Sequence, residues 1–154
     1  MKHRSLVILL AFGTLLSPKA QGQGDAWLPV EPMPTARESV AACTVEGTIY
    51  AIGGFPGQSA RGIKTNERYD PAANSWTVMA PMPTGRRMPV TGVVDGIIYV
   101  IGGTNGGQVF RLVEAYNPAT NSWTTRTPMQ VARALPGAAA ANGKIHVMGG
   151  AIVR

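Results

Sequence analysis

The side chains that most often carry covalent or metal chemistry are scarce in this sequence. Cys43 is the single cysteine of 154 residues, and the two histidines are His3 and His146. A thiol nucleophile needs an activating base, and a metal site needs several His, Cys or carboxylate ligands. Residues 23–154 offer no Cys-His pair, no Ser-His-Asp set and no metal-ligand spacing. Gly102-Gly103-Thr104-Asn105-Gly106-Gly107 has the glycine content of a phosphate loop but lacks the Lys-Ser/Thr step and a following helical pattern. No metal and no cofactor is therefore expected in this segment. The remaining polar chemistry lies in guanidinium and carboxylate groups. Arg37, Arg86 and Arg133 recur at a fixed period, as do Glu67 and Glu114. A partly buried charge needs a partner, so these read as structural Arg–Glu pairs.

That period organises the whole chain. Asp95-Gly96-Ile97-Ile98-Tyr99-Val100-Ile101-Gly102-Gly103 has an earlier copy from Glu46 to Gly54 and a later one from Asn142 to Gly150, at offsets of 49 and 47 residues. Trp27, Trp76 and Trp123 keep the same offsets, as do Pro32-Met33, Pro81-Met82 and Pro128-Met129. Glu67-Arg68-Tyr69-Asp70-Pro71 returns as Glu114-Ala115-Tyr116-Asn117-Pro118. Self-similarity at a period near fifty marks a repeat architecture. Within each copy, Glu-Gly, Asp-Gly or Asn-Gly separates two apolar runs, which suits a two-residue hairpin turn with positive φ at both central positions. The following strand is apolar on both faces and is expected to be covered on both.

These residues resemble the kelch repeat: Pro-Met and Arg, a strand, a turn, an Ile-Tyr strand closed by Gly-Gly, then Tyr-Asp-Pro and a Trp. The resemblance covers about residues 27–150. It implies an all-β fold, a kelch-type β-propeller fragment built of four-stranded antiparallel blades. Residues 38–79 read as one blade, with strands at about Ser39–Val45, Thr48–Gly53, Thr65–Tyr69 and Ser75–Met79. Residues 87–126 read as a second, with strands at about Met88–Val94, Ile97–Gly102, Arg111–Tyr116 and Ser122–Thr125. Residues 134–150 supply the first two strands of a third. The segment 25–31 around Trp27 matches the last strand of a repeat and stands as an orphan outer strand. A propeller closes with four to eight blades, so the sequence is expected to be part of a longer protein, the alternative being a ring shared among several chains.

Residues 1–22 have the pattern of a secretory signal peptide. Lys2, His3 and Arg4 precede an apolar run from Ser5 to Leu16, and Ala20-Gln21-Gly22 offers small residues for cleavage. An uncleaved anchor is the alternative. Export predicts a secreted or periplasmic protein with no membrane span after signal removal, and with one cysteine it forms no internal disulfide. From residue 23 onward, 11 Lys and Arg face 8 Asp and Glu, a net of +3 with no dense basic run. Nucleic acid is not an expected partner.

Positions that repeat are read as scaffold: Arg37, Arg86 and Arg133; Gly53, Gly54, Gly102, Gly103, Gly149 and Gly150; Tyr69, Tyr116, Trp76 and Trp123. Cys43 shares its slot with Gly92 and Ala139, and His146 shares its slot with Tyr50 and Tyr99, so both read as packing residues. Function is sought where equivalent positions differ. After each repeated Arg come Glu38, Arg87 and Ala134, and the loops after Gly54 and Gly103 differ in length and content. In kelch proteins these positions line one face of the ring. Glu38 and Arg87, with Arg61 and Asn105 at the rim, are the candidate ligand-binding residues. The resemblance implies a binding scaffold for a protein or glycan ligand. A kelch-fold sugar enzyme is the alternative, either similar to a sialic-acid mutarotase or, more remotely, to a copper-radical galactose oxidase.

Overall fold

A computed structural model describes residues 29–57 and 61–151. The signal-type segment 1–22 and the region around Trp27 lie outside the described residues. So do Gln58 and Ser59 of the first long loop. Among the described residues every regular element is a strand, and no helix is long and apolar enough to cross a membrane.

The first sheet contains β1 (Ala41–Val45), β2 (Thr48–Ile52), β3 (Asn66–Asp70) and β4 (Ser75–Val78), hydrogen-bonded in that order. The second contains β5 (Val90–Val94), β6 (Ile97–Ile101), β9 (Val113–Asn117) and β10 (Ser122–Arg126) in the same up-and-down order. Between β6 and β9 the chain forms a small hairpin, β7 (Thr104–Asn105) and β8 (Gln108–Val109). A third pair, β11 (Gly137–Ala141) and β12 (Lys144–Met148), forms a two-stranded sheet beside β5.

The turns follow from local chemistry. Glu46 and Gly47 have φ of 48° and 77°, Asp95 and Gly96 50° and 73°, Asn142 and Gly143 50° and 69°. Two successive left-handed residues make the two-residue turn whose twist matches antiparallel strands. Register then follows the pattern of the sequence. Cys43, Gly92 and Ala139 face Tyr50, Tyr99 and His146 across the first two strands of their sheets.

Two expectations need correction. The sequence pattern starts the first strand of each blade at Ser39 or Met88, but the strands begin at Ala41 and Val90. Ser39, Met88 and Leu135 have φ of 55°, 58° and 54°, which no strand residue adopts. This kink is held between sheets: Met88 N–H donates to the Ser39 carbonyl at 3.0 Å, and Leu135 N–H to the Met88 carbonyl at 2.9 Å. The stretch from Thr104 to Phe110 reads as a loop in sequence and contains a hairpin. Gly106-Gly107, at φ of 55° and 86°, forms its turn.

The core lies between the two full sheets. Tyr50 and Ile52 from the first meet Ile98, Val100 and Tyr116 from the second, and Met82 of the connecting segment closes the layer. Ile52, Met82, Ile98, Val100 and Tyr116 are fully buried. Each such side chain contributes about 1.5–3 kcal/mol through its removal from water.

The outer edge carries a second repeated link. Tyr69 and Tyr116 stack on the cross-strand residues Trp76 and Trp123, with ring centroids 5.1 and 5.0 Å apart. Their hydroxyls donate to Asn74 and Asn121 Oδ1, each at 2.7 Å. The same Asn oxygens accept the Glu31 and Ala80 backbone N–H at 2.9 and 2.8 Å. Trp76 and Trp123 Nε1 donate to the Glu31 and Ala80 carbonyls at 2.8 Å. One residue of the preceding segment is thus held at both its backbone groups by the next sheet.

Candidate functional site

The site is built from the double glycine at the end of β2 and the arginine of the following segment. Arg86 is fully buried, and its guanidinium donates to Glu114 Oε2 at 2.7 Å and to the Val100 carbonyl at 3.0 Å. Thr84 Oγ1 donates to the other Glu114 oxygen at 2.8 Å. Burial pushes the Arg86 pKa down, and the Glu114 carboxylate pushes it back up. Arg37 repeats the arrangement, donating to Glu67 Oε2 at 2.5 Å while Thr35 Oγ1 donates to Oε1 at 2.6 Å.

The backbone of Arg86 reaches across to the first sheet. Its carbonyl accepts the Gly54 N–H at 3.0 Å. A Cβ on Gly53, whose φ is 68°, would lie 2.6 Å from that oxygen. Gly53 therefore meets two demands together, left-handed φ and close approach by a neighbouring backbone. Gly103 N–H donates to the Arg133 carbonyl at 2.8 Å in the next copy. Arg133 itself donates from Nη1 to the Gly149 carbonyl. Among the described residues it makes no ion pair with a carboxylate.

The residues just beyond these anchors form the loop face. Glu38 and Phe55 exchange backbone hydrogen bonds at 3.1 and 3.0 Å, Arg87 and Thr104 at 3.0 and 2.8 Å, and Ala134 and Ala151 at 3.0 and 2.8 Å. Backbone fixes each pair, and the side chains differ between copies, with Thr104 and Ala134 buried and Glu38 exposed. Across the sheets, the Arg87 guanidinium carbon sits 4.8 Å from the centroid of Phe55. Such a stack holds a guanidinium plane on an aromatic face. Arg87 Nε is buried with no hydrogen-bond partner. Glu38 is exposed beside Phe55, through its backbone pairing to that residue.

Arg61 and Asn105 line a shallow cleft of about 250 Å³ with Gln108 and Phe110. Asn105 also has a structural task. Its Nδ2 donates to the Gly85 carbonyl at 2.8 Å, and its Oδ1 accepts the Gly62 N–H at 3.2 Å. It ties the second blade's loop to the first blade's loop, and its amide is already engaged. Phe55 is the site residue that sequence reasoning passed over. The signal was present: Phe55, Thr104 and Ala151 differ at one slot after Gly-Gly, just as Glu38, Arg87 and Ala134 do after Arg.

At the opposite end of the sheets a cleft of about 430 Å³ lies among Tyr50, Arg68, Asp95 and Asn117. Cys43 lines neither cleft. Burial pushes its thiol up to about 11, with the Thr91 hydroxyl pulling slightly the other way. A thiol so placed is a packing group. Among the described residues no group of three or more His, Cys, Asp or Glu is close enough to hold a metal ion.

Four-stranded up-and-down sheets, set side by side and tied at both inner and outer edges, define consecutive blades of a β-propeller. The kelch motif matches residues 36–83 and 85–130. The chain belongs to the kelch-repeat family. The solved structure of YjhT is similar, with a TM-score of 0.64 and 30% identity, over 80% of this chain and 36% of that one. The chain thus spans 36% of the length of that structural relative. No curated protein matches it in sequence.

Proposed function

We propose that this chain contributes part of an exported binding scaffold, and that its loop face takes an acidic ligand, a protein segment or a glycan bearing a carboxylate. The observation that carries this reading is the Arg87–Phe55 stack. It places the guanidinium carbon over the ring, 4.8 Å from its centroid. A held guanidinium is suited to a forked pair of hydrogen bonds with a carboxylate. Arg61, at the cleft beside Asn105, adds a second positive group to the rim. Export rests on the n-region and apolar run of residues 1–16.

The test is titration of the full chain with sialyllactose and with a hexaglutamate peptide, followed by calorimetry. Saturable binding to one of them is expected. Arg87→Ala should weaken it by about 1.5–3 kcal/mol, the scale of a charge-assisted hydrogen bond. Phe55→Ala should weaken it less, since it removes the support and leaves the charge. Binding that Arg87→Ala leaves unchanged overturns the site.

A further inference from the structure

The cleft at the turn end of the sheets lies between the two four-stranded blades, at the other end of the strands from Arg87 and Phe55. Its volume of about 430 Å³ falls in the range of small-molecule pockets. One wall comes from β2 and β3 of the first blade, through Tyr50 and Arg68. The other comes from the second blade, through Asp95 and Ile97 of the β5–β6 hairpin and Pro118 of the β9–β10 turn. Glu46, in the β1–β2 turn, completes the rim.

Arg68 is the residue that the repeat does not ask for. Its equivalent is Ala115. Each follows a buried Glu and precedes a buried Tyr, and each lies across the strand ladder from a Tyr, Tyr50 or Tyr99. Alanine therefore satisfies the fold at this slot. Arg37 and Arg86 are each given a carboxylate. Arg68, half-buried, is given none: among the described residues it joins no ion pair, and its Nε has no hydrogen-bond partner. Taking a guanidinium out of water without a partner is costly, so a ligand that supplies the missing negative charge gains from the contact. Glu46 and Asp95 are exposed at the first position of their turns. One cation and two carboxylates around one cleft select against a plain anion, which the carboxylates repel, and a plain cation, which Arg68 repels. Tyr50, Ile97 and Pro118 add apolar surface.

We propose that this cleft binds a free α-amino acid as its zwitterion. The carboxylate pairs with the Arg68 guanidinium, a match that favours forked hydrogen bonds. The ammonium lies toward Glu46 and Asp95, and an apolar side chain lies against Tyr50, Ile97 and Pro118. The site is independent of the loop face, where a carboxylate on Arg87 needs no ammonium beside it.

The probe is L-phenylalanine, titrated by calorimetry into the full 154-residue chain, whose fold is followed by its strand circular dichroism. Saturable binding is expected. Phenylalanine amide, which lacks the carboxylate, and N-acetylphenylalanine, which lacks the ammonium, should each bind at least tenfold more weakly. These changes leave the protein untouched, so a folding defect does not mimic them. Arg68→Gln should weaken phenylalanine at least tenfold, so that the acid and its amide then bind alike. Glu46→Gln together with Asp95→Asn should remove the preference for the free ammonium over the acetylated form. Absence of saturable binding to a folded chain overturns the proposal, as does binding that Arg68→Gln leaves unchanged. Equal or tighter binding of N-acetylphenylalanine also overturns it and assigns the cleft to plain carboxylates. Tighter binding of the dipeptide glycylphenylalanine overturns it in favour of peptides.

Discussion

Replacing Glu114 by Gln isolates what the buried ion pair does. The substitution is nearly isosteric. The amide oxygen still accepts the Thr84 hydroxyl, which lies 2.8 Å from the carboxylate. What disappears is the negative charge 2.7 Å from Arg86 Nη1, in a place where both side chains are almost without solvent contact. Arg86 then keeps only the Val100 carbonyl at 3.0 Å and a long contact to the Thr84 carbonyl at 3.4 Å, with Nε already unpartnered. Removing one member of a buried pair costs about 3–5 kcal/mol, because the other charge is left uncompensated.

That loss is a large part of the roughly 5–15 kcal/mol available to a typical domain. Urea unfolding at neutral pH, followed by circular dichroism and by Trp76 and Trp123 emission, measures it. The double variant Arg86→Met with Glu114→Leu should recover most of the stability, since a well-packed apolar pair removes both charges together. A loss under about 1 kcal/mol for Glu114→Gln, with an unchanged urea slope, would refute the buried-pair account. It would mean that water reaches the guanidinium.

Gly53→Ala should cost more than Gly96→Ala. Both glycines have positive φ, worth about 1–2 kcal/mol against an L side chain, but only the Gly53 Cβ would meet a neighbouring carbonyl, at 2.6 Å; equal urea midpoints for the two variants would contradict this. Trp123→Phe removes the Nε1 bond to the Ala80 carbonyl while keeping most of the ring stack, so a loss of about 0.5–1.5 kcal/mol is expected on urea unfolding. Cys43, with its pKa raised to about 11, should react with a thiol reagent at neutral pH at least roughly 100-fold more slowly in the native chain than in urea, where an ordinary thiol titrates near 8.5. Because the folded state favours the protonated thiol, its contribution to stability is complete below about 8.5 and is lost as the pH rises through about 11. Comparable labelling rates in both states would place Cys43 on an open surface.

The repeat's register was legible because the residues that set it are local and strongly typed. Asp95-Gly96 and Asn142-Gly143 announce their turns, and Tyr69 with Trp76, or Tyr116 with Trp123, announce a cross-strand pair. The Arg–Glu pairing was legible because two charges with one period need each other. The kink at Ser39, Met88 and Leu135 was not. Nothing in Ser, Met or Leu asks for positive φ; the hydrogen bonds between sheets impose it. The β7–β8 hairpin carried its own Gly106-Gly107 signal, hidden within a glycine-rich stretch. That Asn105 also ties two loops together was not legible, because a polar loop residue and a polar strut have the same sequence appearance. Only the positions of Gly62 and Gly85 reveal the tie.

The same division explains why the loop face can differ between repeats without loosening the frame. At Glu38–Phe55, Arg87–Thr104 and Ala134–Ala151 the bonds between segments are backbone to backbone. The first two pairs come directly after an Arg locked by a buried carboxylate, whereas Arg133, before Ala134, is held by the Gly149 carbonyl. The anchors therefore fix where the next Cβ points, and the side chain built on it ranges from exposed at Glu38 to buried at Ala134. A carboxylate, a guanidinium and a methyl group occupy equivalent positions. Stability is carried one residue earlier in the chain, by Arg37 and Arg86 with Glu67 and Glu114. The side chain at the slot after them therefore differs between repeats while the ion pairs that hold the frame do not, as loops on a rigid scaffold allow.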